Sequence, residues 1–190
     1  MTTQWSRIAR RVRVPVGFGF AVFFLLLAQP TVRFLAFSLV LVAPGLLLRG
    51  YASGYVQKNQ ELTMSGPYAY TRNPLYLGSM MIAFGFALGA RSLWIAGAMA
   101  VLFAAIYIPV IRSEEEYLRG QFAAFDSYAD RVPRLVPWKM RARGTASGGG
   151  RFSGALYRKH REYHALLGAL AMYAALILKL LWILKEKGAA

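Results

Sequence analysis

Apolar residues in this chain come in long blocks rather than at amphipathic spacing, and short basic or turn-forming stretches separate the blocks. Runs of this kind predict membrane-embedded helices. Five are visible: Val14 to Ala28, Phe34 to Leu48 or a little beyond, Leu75 to Ala90, Leu93 to Ile111, and Ala165 to Leu184. The first two fall short of the roughly 20 residues that cross about 30 Å of hydrocarbon. Arg49 and the mixed segment to Val56 are therefore expected to complete the second, with Arg49 snorkelling toward the surface. Pro44-Gly45 predicts a kink in that helix, and Arg91-Ser92 a hinge between the third and fourth runs. The third run carries Gly78, Ser79, Ala83, Gly85, Ala87 and Gly89, small residues that let a neighbouring helix come close. The first run follows Arg7, Arg10, Arg11 and Arg13, as a signal peptide would, but no small-x-small cleavage site follows it, so it is read as a retained helix.

Two stretches break the apolar pattern. Gln60 to Tyr76, QELTMSGPYAYTRNPLY, is polar, rich in tyrosine and dense in turn signals. Ser65-Gly66-Pro67 predicts a turn, and Asn73-Pro74 a helix start with Asn73 as its cap and Pro74 in its first position. Ser113 to Arg131 places Leu118, Phe122, Phe125 and Ala129 on one stripe of an amphipathic helix, starting in a Ser113/Glu116 capping box. That helix is expected to lie on the membrane surface or over the mouth of the bundle. Val132 to Trp138 contains two prolines and cannot be regular helix. Arg141 to Gly154 reads as a flexible linker. No internal repeat and no strand pattern is present, so the expectation is one all-α membrane domain over residues 1–190, with its motif core at 49–137 and a last span at 165–184.

Composition sharpens this picture. The chain of 190 residues is 57% hydrophobic with a mean hydropathy of +0.39, above ordinary globular values. A net charge of +15 would suggest nucleic acid in a soluble protein, but here the basic residues flank the apolar runs. With five spans and a cytoplasmic N-terminus, 18 Lys/Arg fall inside and four outside, as the positive-inside rule requires. Both polar stretches then face the cytoplasm, where the basic residues meet anionic lipid headgroups, and nucleic acid is not an expected partner. The absence of cysteine excludes disulfides, thiolate nucleophiles and Cys-containing metal sites. His160 and His164, four apart, are expected on one helix face and are read as a surface meeting headgroups rather than a metal pair.

The order of motifs is more specific than any one of them. Gly66, Pro67, Tyr68, Arg72, Pro74 and Tyr76 are followed by an apolar hairpin, then Glu114, Glu115, Leu118 and Phe122, then Tyr128, Arg134 and Pro137. Over Arg49 to Pro137 this set resembles the isoprenylcysteine carboxyl methyltransferase family, with related signatures in phospholipid N-methyltransferases. The resemblance implies a helical S-adenosylmethionine site with no Rossmann domain, and no glycine-rich turn follows a strand in this sequence. It assigns cofactor binding to Gln60, Glu61, Leu62, Thr63, Tyr68, Asn73, Pro74, Leu75, Tyr76 and Glu114. Asn73 stands where the family usually has histidine. The family's substrate-orienting arginine falls at Val110, with Arg112 two positions away.

The chemistry fits such a ligand. Glu114 can bind its ammonium, Tyr68 and Tyr76 can offer aromatic faces, and Arg72 or backbone donors at the Pro74 helix start can meet its carboxylate. Arg112, Glu115 and Arg72 are the candidate catalytic residues. Methyl transfer to a lipophilic acceptor from the bilayer is the expected reaction, in a multi-pass protein of a bacterial inner membrane. An NADPH-dependent enzyme like the membrane sterol reductases, and a non-catalytic membrane adaptor, remain as alternatives.

Overall fold

The computed structural model describes residues 19–57, 61–138 and 151–188, and among them every regular element is helical. Helix α1 covers 19–27, α2 Val32–Ser53, α3 Pro74–Ala90, α4 Leu93–Gln121, α5 Phe125–Arg131, α6 Gly154–Lys159 and α7 Tyr163–Gly188, with a 3-10 turn at Gly66–Ala69. Of the described helices, α2, α4 and α7 are long and apolar enough to cross a membrane, and α3 is a shorter apolar helix of 17 residues. The first of the five expected spans begins outside the described residues. Gln60 and most of the expected linker also lie outside them, while Gly154 opens α6 instead of ending that linker.

The fold is organised on the antiparallel pairing of α2 and α3. Ser38, Val42, Gly45 and Arg49 recur at spacings of four, three and four along α2, a single helix face. They meet the small residues of α3. A Cβ on Gly78 would stand 2.7 Å from the Gly45 carbonyl oxygen, and one on Gly85 would stand 2.6 Å from Val42 Cγ2. The two backbones are thus as close as glycine allows, and α2 runs on as helix through Pro44.

Around this pair the other elements close. Phe24 and Ala28, at the end of α1, are fully buried with Val42, Phe86, Ala90, Ile95 and Leu176. Lys179 of α7 donates to the carbonyls of Leu25 and Leu26, the latter at 2.9 Å, and so satisfies groups that the end of α1 leaves without helical partners. Tyr173 of α7 shares a 2.7 Å hydrogen bond with Ser38 and packs on Phe86. The expected hinge is present: Arg91 adopts the left-handed conformation (φ 50°), and the Ser92 side chain caps α4 by accepting from Ile95 N–H.

Two expectations change. Ser113 to Arg131 is not one surface helix with its own capping box. Residues 113–121 continue α4, so Ser113 lies in mid-helix, and only Phe125–Arg131 forms a separate helix after a break. A helix of 29 residues is about 44 Å long. It therefore outruns a hydrocarbon core of about 30 Å and emerges near Arg112, where its charged residues begin. The amphipathic stripe survives the break: Phe125, Tyr128 and Val132 form a small second core against Leu62, Met64, Leu118 and Ala129. His160 and His164 do not share a helix face either. His160 ends α6, Arg161 turns the chain in the left-handed region (φ 54°), and α7 starts at Tyr163.

Replacing Gly78 with valine should lower stability by about 2 kcal/mol, because neither the Gly45 carbonyl nor the α2 backbone can yield. Gly97→Ala, with open space at its Cβ, should be neutral or slightly stabilising. Thermal unfolding of the two purified variants in detergent distinguishes these outcomes.

Candidate functional site

The site is built where residues 61–76 of the polar stretch meet the emergent end of α4. Gly66 has φ 59°, and its Cα faces the ring of Tyr55, which a Cβ would approach to 2.8 Å. Glycine is therefore required on both counts. Pro67 follows Gly66 in the first positions of the 3-10 turn, which carries Tyr68 into the interior, and Tyr128 OH donates to the Tyr68 carbonyl at 2.7 Å. Burial pushes the Tyr68 phenol well above its ordinary pKa, and neighbouring Tyr128, Glu114, Glu162 and Tyr76 add to the shift. Burial likewise raises Tyr128, against the opposing charge of Arg72. Both phenols keep their protons at physiological pH and cannot serve as anionic bases.

One carboxylate ties three segments together. Glu115, 4% exposed, accepts from Arg134 Nε at 2.9 Å on Oε2 and from Asn73 Nδ2 at 3.3 Å on Oε1. Arg72 Nε stands 3.4 Å from Oε1, near enough for charge attraction but not aligned as a hydrogen bond. The Arg72 guanidinium also lies 6.0 Å from the centre of the Phe125 ring. The backbone follows the same joinery. Arg72 N–H donates to the Pro133 carbonyl at 3.0 Å, and Asn73 Nδ2 and Thr71 Oγ1 both donate to the Arg134 carbonyl. Val132 to Trp138 is thus held as non-helical chain against the start of α3. Asn73 occupies the N-cap position as expected, but its side chain makes no capping hydrogen bond, because its amide reaches across to Glu115 and Arg134 instead. Pro74 takes the first helical position.

Toward the outside, Tyr76 OH donates to Glu114 Oε1 at 2.9 Å. The Tyr76 ring meets Tyr107 edge-on at 5.5 Å, and Tyr107 stacks on Phe103 at 4.5 Å, so an aromatic row runs down α4 from Glu114 into the apolar zone. Leu75 sits in the first turn of α3 beside Tyr76. Leu62 and Met64 pack on the second core on either side of Thr63, whose buried hydroxyl has no hydrogen-bond partner among the described residues. Glu61 is exposed and accepts from Gln57 at 2.9 Å. Gln60 lies outside the described residues. Of the three candidate catalytic residues, Arg72 and Glu115 come together inside the fold, whereas Arg112 is exposed on α4. Among the described residues no group of three or more His, Asp or Glu side chains is arranged to hold a metal ion.

One contributor, Glu162, went unread in the sequence, and Arg49, expected only to snorkel toward the surface, is turned inward to it. Arg49 forms a forked ion pair with Glu162, donating to its oxygens at 2.8 to 3.0 Å. A signal for the pair existed, since Glu162 is the only acidic residue between Asp130 and Glu186 and follows a run of basic ones.

Residues 45–124 match the phospholipid methyltransferase family. The matched segment runs from the contact face of α2 to the emergent end of α4, and so contains Tyr68, Asn73, Tyr76, Glu114 and Glu115. The chain is similar to the cobalt-zinc-cadmium resistance protein CzcN of Cupriavidus metallidurans, 36% identical over 97 residues that cover 51% of this chain and 44% of that protein. It is also similar to the nickel-cobalt-cadmium resistance protein NccN of Alcaligenes xylosoxydans xylosoxydans, 39% identical over 87 residues, 46% of this chain and 40% of that protein. The matches thus span less than half the length of either relative. No solved structure matches the chain.

Removing the central carboxylate should be costly. Glu115→Ala leaves the half-buried Arg72 and the Asn73 amide without their shared acceptor, and a loss of about 3 to 5 kcal/mol is expected from thermal unfolding. Arg72→Met combined with Glu115→Met should recover part of it, because the more buried of the two guanidiniums goes with the carboxylate, while Arg134, about half exposed, can turn to water.

Proposed function

We propose that this protein transfers a methyl group from S-adenosylmethionine to a lipophilic acceptor embedded in the bilayer, either the carboxylate of an isoprenoid-type substrate or the amine of a lipid headgroup. The observation that carries the reading is the composition of the mouth inside the family-matched core. An exposed carboxylate, Glu114, accepts from the Tyr76 hydroxyl, and a buried hydroxyl, Thr63, lacks a partner among the described residues in the stretch expected to line the cofactor. A buried polar atom of that kind is costly unless a ligand completes it. When bound, S-adenosylmethionine supplies a methyl group made electrophilic by its sulfonium.

The chain's own residues align and seal. Glu114 binds an ammonium through a charge-assisted bond, and Tyr68 and Tyr76 present aromatic surface to a cationic or heteroaromatic group. Glu115 and Arg72 act by holding the Asn73 helix start and the Arg134 tail in place, and Arg112 remains on the surface to meet an acceptor headgroup. A carboxylate acceptor arrives as an anion and needs no base. For an amine, the Tyr76–Glu114 pair is the group placed to accept its proton, since Tyr68 and Tyr128 stay protonated. The Phe103–Tyr107–Tyr76 row gives an acyl or prenyl chain an apolar route up α4 while the cofactor enters from the aqueous side.

The metal-resistance names of the two relatives fit such an activity through the membrane surface. Methylating an acidic group removes a negative charge, and divalent cations then meet a less anionic layer.

S-Adenosylhomocysteine should raise the unfolding temperature of the purified protein, whereas NADPH should not; the reverse result would favour a reductase, and no shift with either an adaptor. Glu114→Gln should weaken S-adenosylhomocysteine binding about tenfold. Thr63→Val is the sharper probe: with its orphan hydroxyl gone the free protein should be as stable as the parent or more so, yet bind the ligand less tightly. Unchanged affinity in both variants would sink the site assignment. Membranes incubated with methyl-labelled S-adenosylmethionine then identify the acceptor by the labelled lipid or protein.

A further inference from the structure

Arg49 closes the contact face of α2 on the side of the mouth, and its guanidinium joins three elements. Nε and Nη2 engage both oxygens of Glu162 at 2.8 to 3.0 Å, while Nη1 donates to Ser79 Oγ and, at 3.3 Å, to the carbonyl of Leu75. Leu75 and Ser79 form the opening turns of α3, the helix that presents Asn73 and Tyr76. Glu162 stands at the bend before α7, beyond the family-matched residues 45–124, and its segment reaches the turn that carries Tyr68 through Phe152, whose ring meets at 6.4 Å the Tyr55 ring that Gly66 faces.

The same short segment is fastened to the end of α2 at further points. Phe152 stacks on Tyr51 at 5.9 Å and covers Gly54, where a Cβ would come within 2.3 Å of its ring. Ser153 N–H donates to the Gly54 carbonyl at 2.9 Å, and His160 Nδ1 lies 3.0 Å from the carbonyl of Ser53. None of these contacts uses residues of the Glu115 group, so they form a second and independent attachment.

We propose that the Arg49–Glu162 pair completes the cofactor site from outside the family core: Glu162 is a positioning residue that clasps the segment before α7 onto the opening turns of α3 and the wall around Tyr68. This rests on the methyltransferase reading for its ligand but not for its geometry. Half-buried and forked, the pair lies in the class whose breakage leaves an uncompensated charge, unlike an exposed surface bridge.

Full-length protein in lipid nanodiscs provides the test, with S-adenosylhomocysteine as the probe. Glu162→Gln should weaken binding at least tenfold, and Arg49→Lys, which keeps the charge but not the fork, should give a smaller loss. Ser38→Ala removes the Ser38–Tyr173 bond, which also ties α7 to α2 but lies at the far end of the contact face; it should change affinity less than twofold. Equal losses in Glu162→Gln and Ser38→Ala, or no loss in Glu162→Gln, overturn the proposal. Hydrogen exchange separates its failure from that of the methyltransferase reading. If the parent protein binds no S-adenosylhomocysteine, that reading fails, while the clasp still predicts faster exchange in Glu162→Gln at residues 66–71 and 75–79; unchanged exchange there overturns the clasp.

Discussion

A buried carboxylate cannot be left alone, and that constraint explains the form of this protein's polar end. Glu115 leaves the membrane on the last turns of α4 with only 4% of its surface exposed, and an unpaired charge in that position would cost several kcal/mol. Its partners come from separate stretches: Asn73 and Arg72 from the start of α3, and Arg134 from the proline-rich tail. Satisfying one residue therefore fixes where α3 begins, where the tail runs and how α5 folds back. The second core under α5 is small, and its polar neighbours hold it in register against Leu62 and Met64.

Inside the membrane a different force operates. Helices gain little from apolar burial when lipid is equally apolar, so close backbone packing between α2 and α3 supplies the contact. Glycines at 45, 78 and 85 make that approach possible, and its direction decides which end of α2 meets which end of α3. Arg49 is on the same face as Gly45 and Val42, so the packing that holds the hairpin also delivers a guanidinium to the opening turns of α3. Packing in the apolar zone and placement of a polar group at the surface are consequences of one helical stripe.

The apolar blocks made most of the helices legible in the sequence, because block length and hydropathy are local properties. The hinge at Arg91-Ser92, the turn at Gly66 and the proline start of α3 were legible for the same reason: each depends on backbone preferences of two or three residues. What was not legible depends on distance in space. Nothing near Ser113 signals that α4 continues; its polar face looks like a new helix until the length of α4 is set against the thickness of a membrane. The bend at Arg161 separated two histidines that helical spacing would align, since a left-handed residue other than glycine leaves little trace in composition. The site itself was legible only through its resemblance to a family, which lists residues without saying which touch. Glu114 and Glu115 are adjacent in sequence, yet one faces water beside Tyr76 and the other is buried among arginines.

That division gives a physical reason for Asn73. The resembled family usually has histidine at this position, and an imidazole would titrate between pH 5 and 8 beside Arg72 and Arg134. Here the terminal amide nitrogen donates to two acceptors at once, Glu115 Oε1 and the Arg134 carbonyl. An NH2 group carries two hydrogens for two such bonds, whereas each imidazole nitrogen carries at most one. Asparagine therefore joins α4 to the proline-rich tail through a single atom and adds no charge at any physiological pH. The residue that departs from the resembled family's pattern is the one best suited to a neutral, permanent joint, and it leaves the exposed Glu114, held by the Tyr76 hydroxyl, as a separate carboxylate outside that joint.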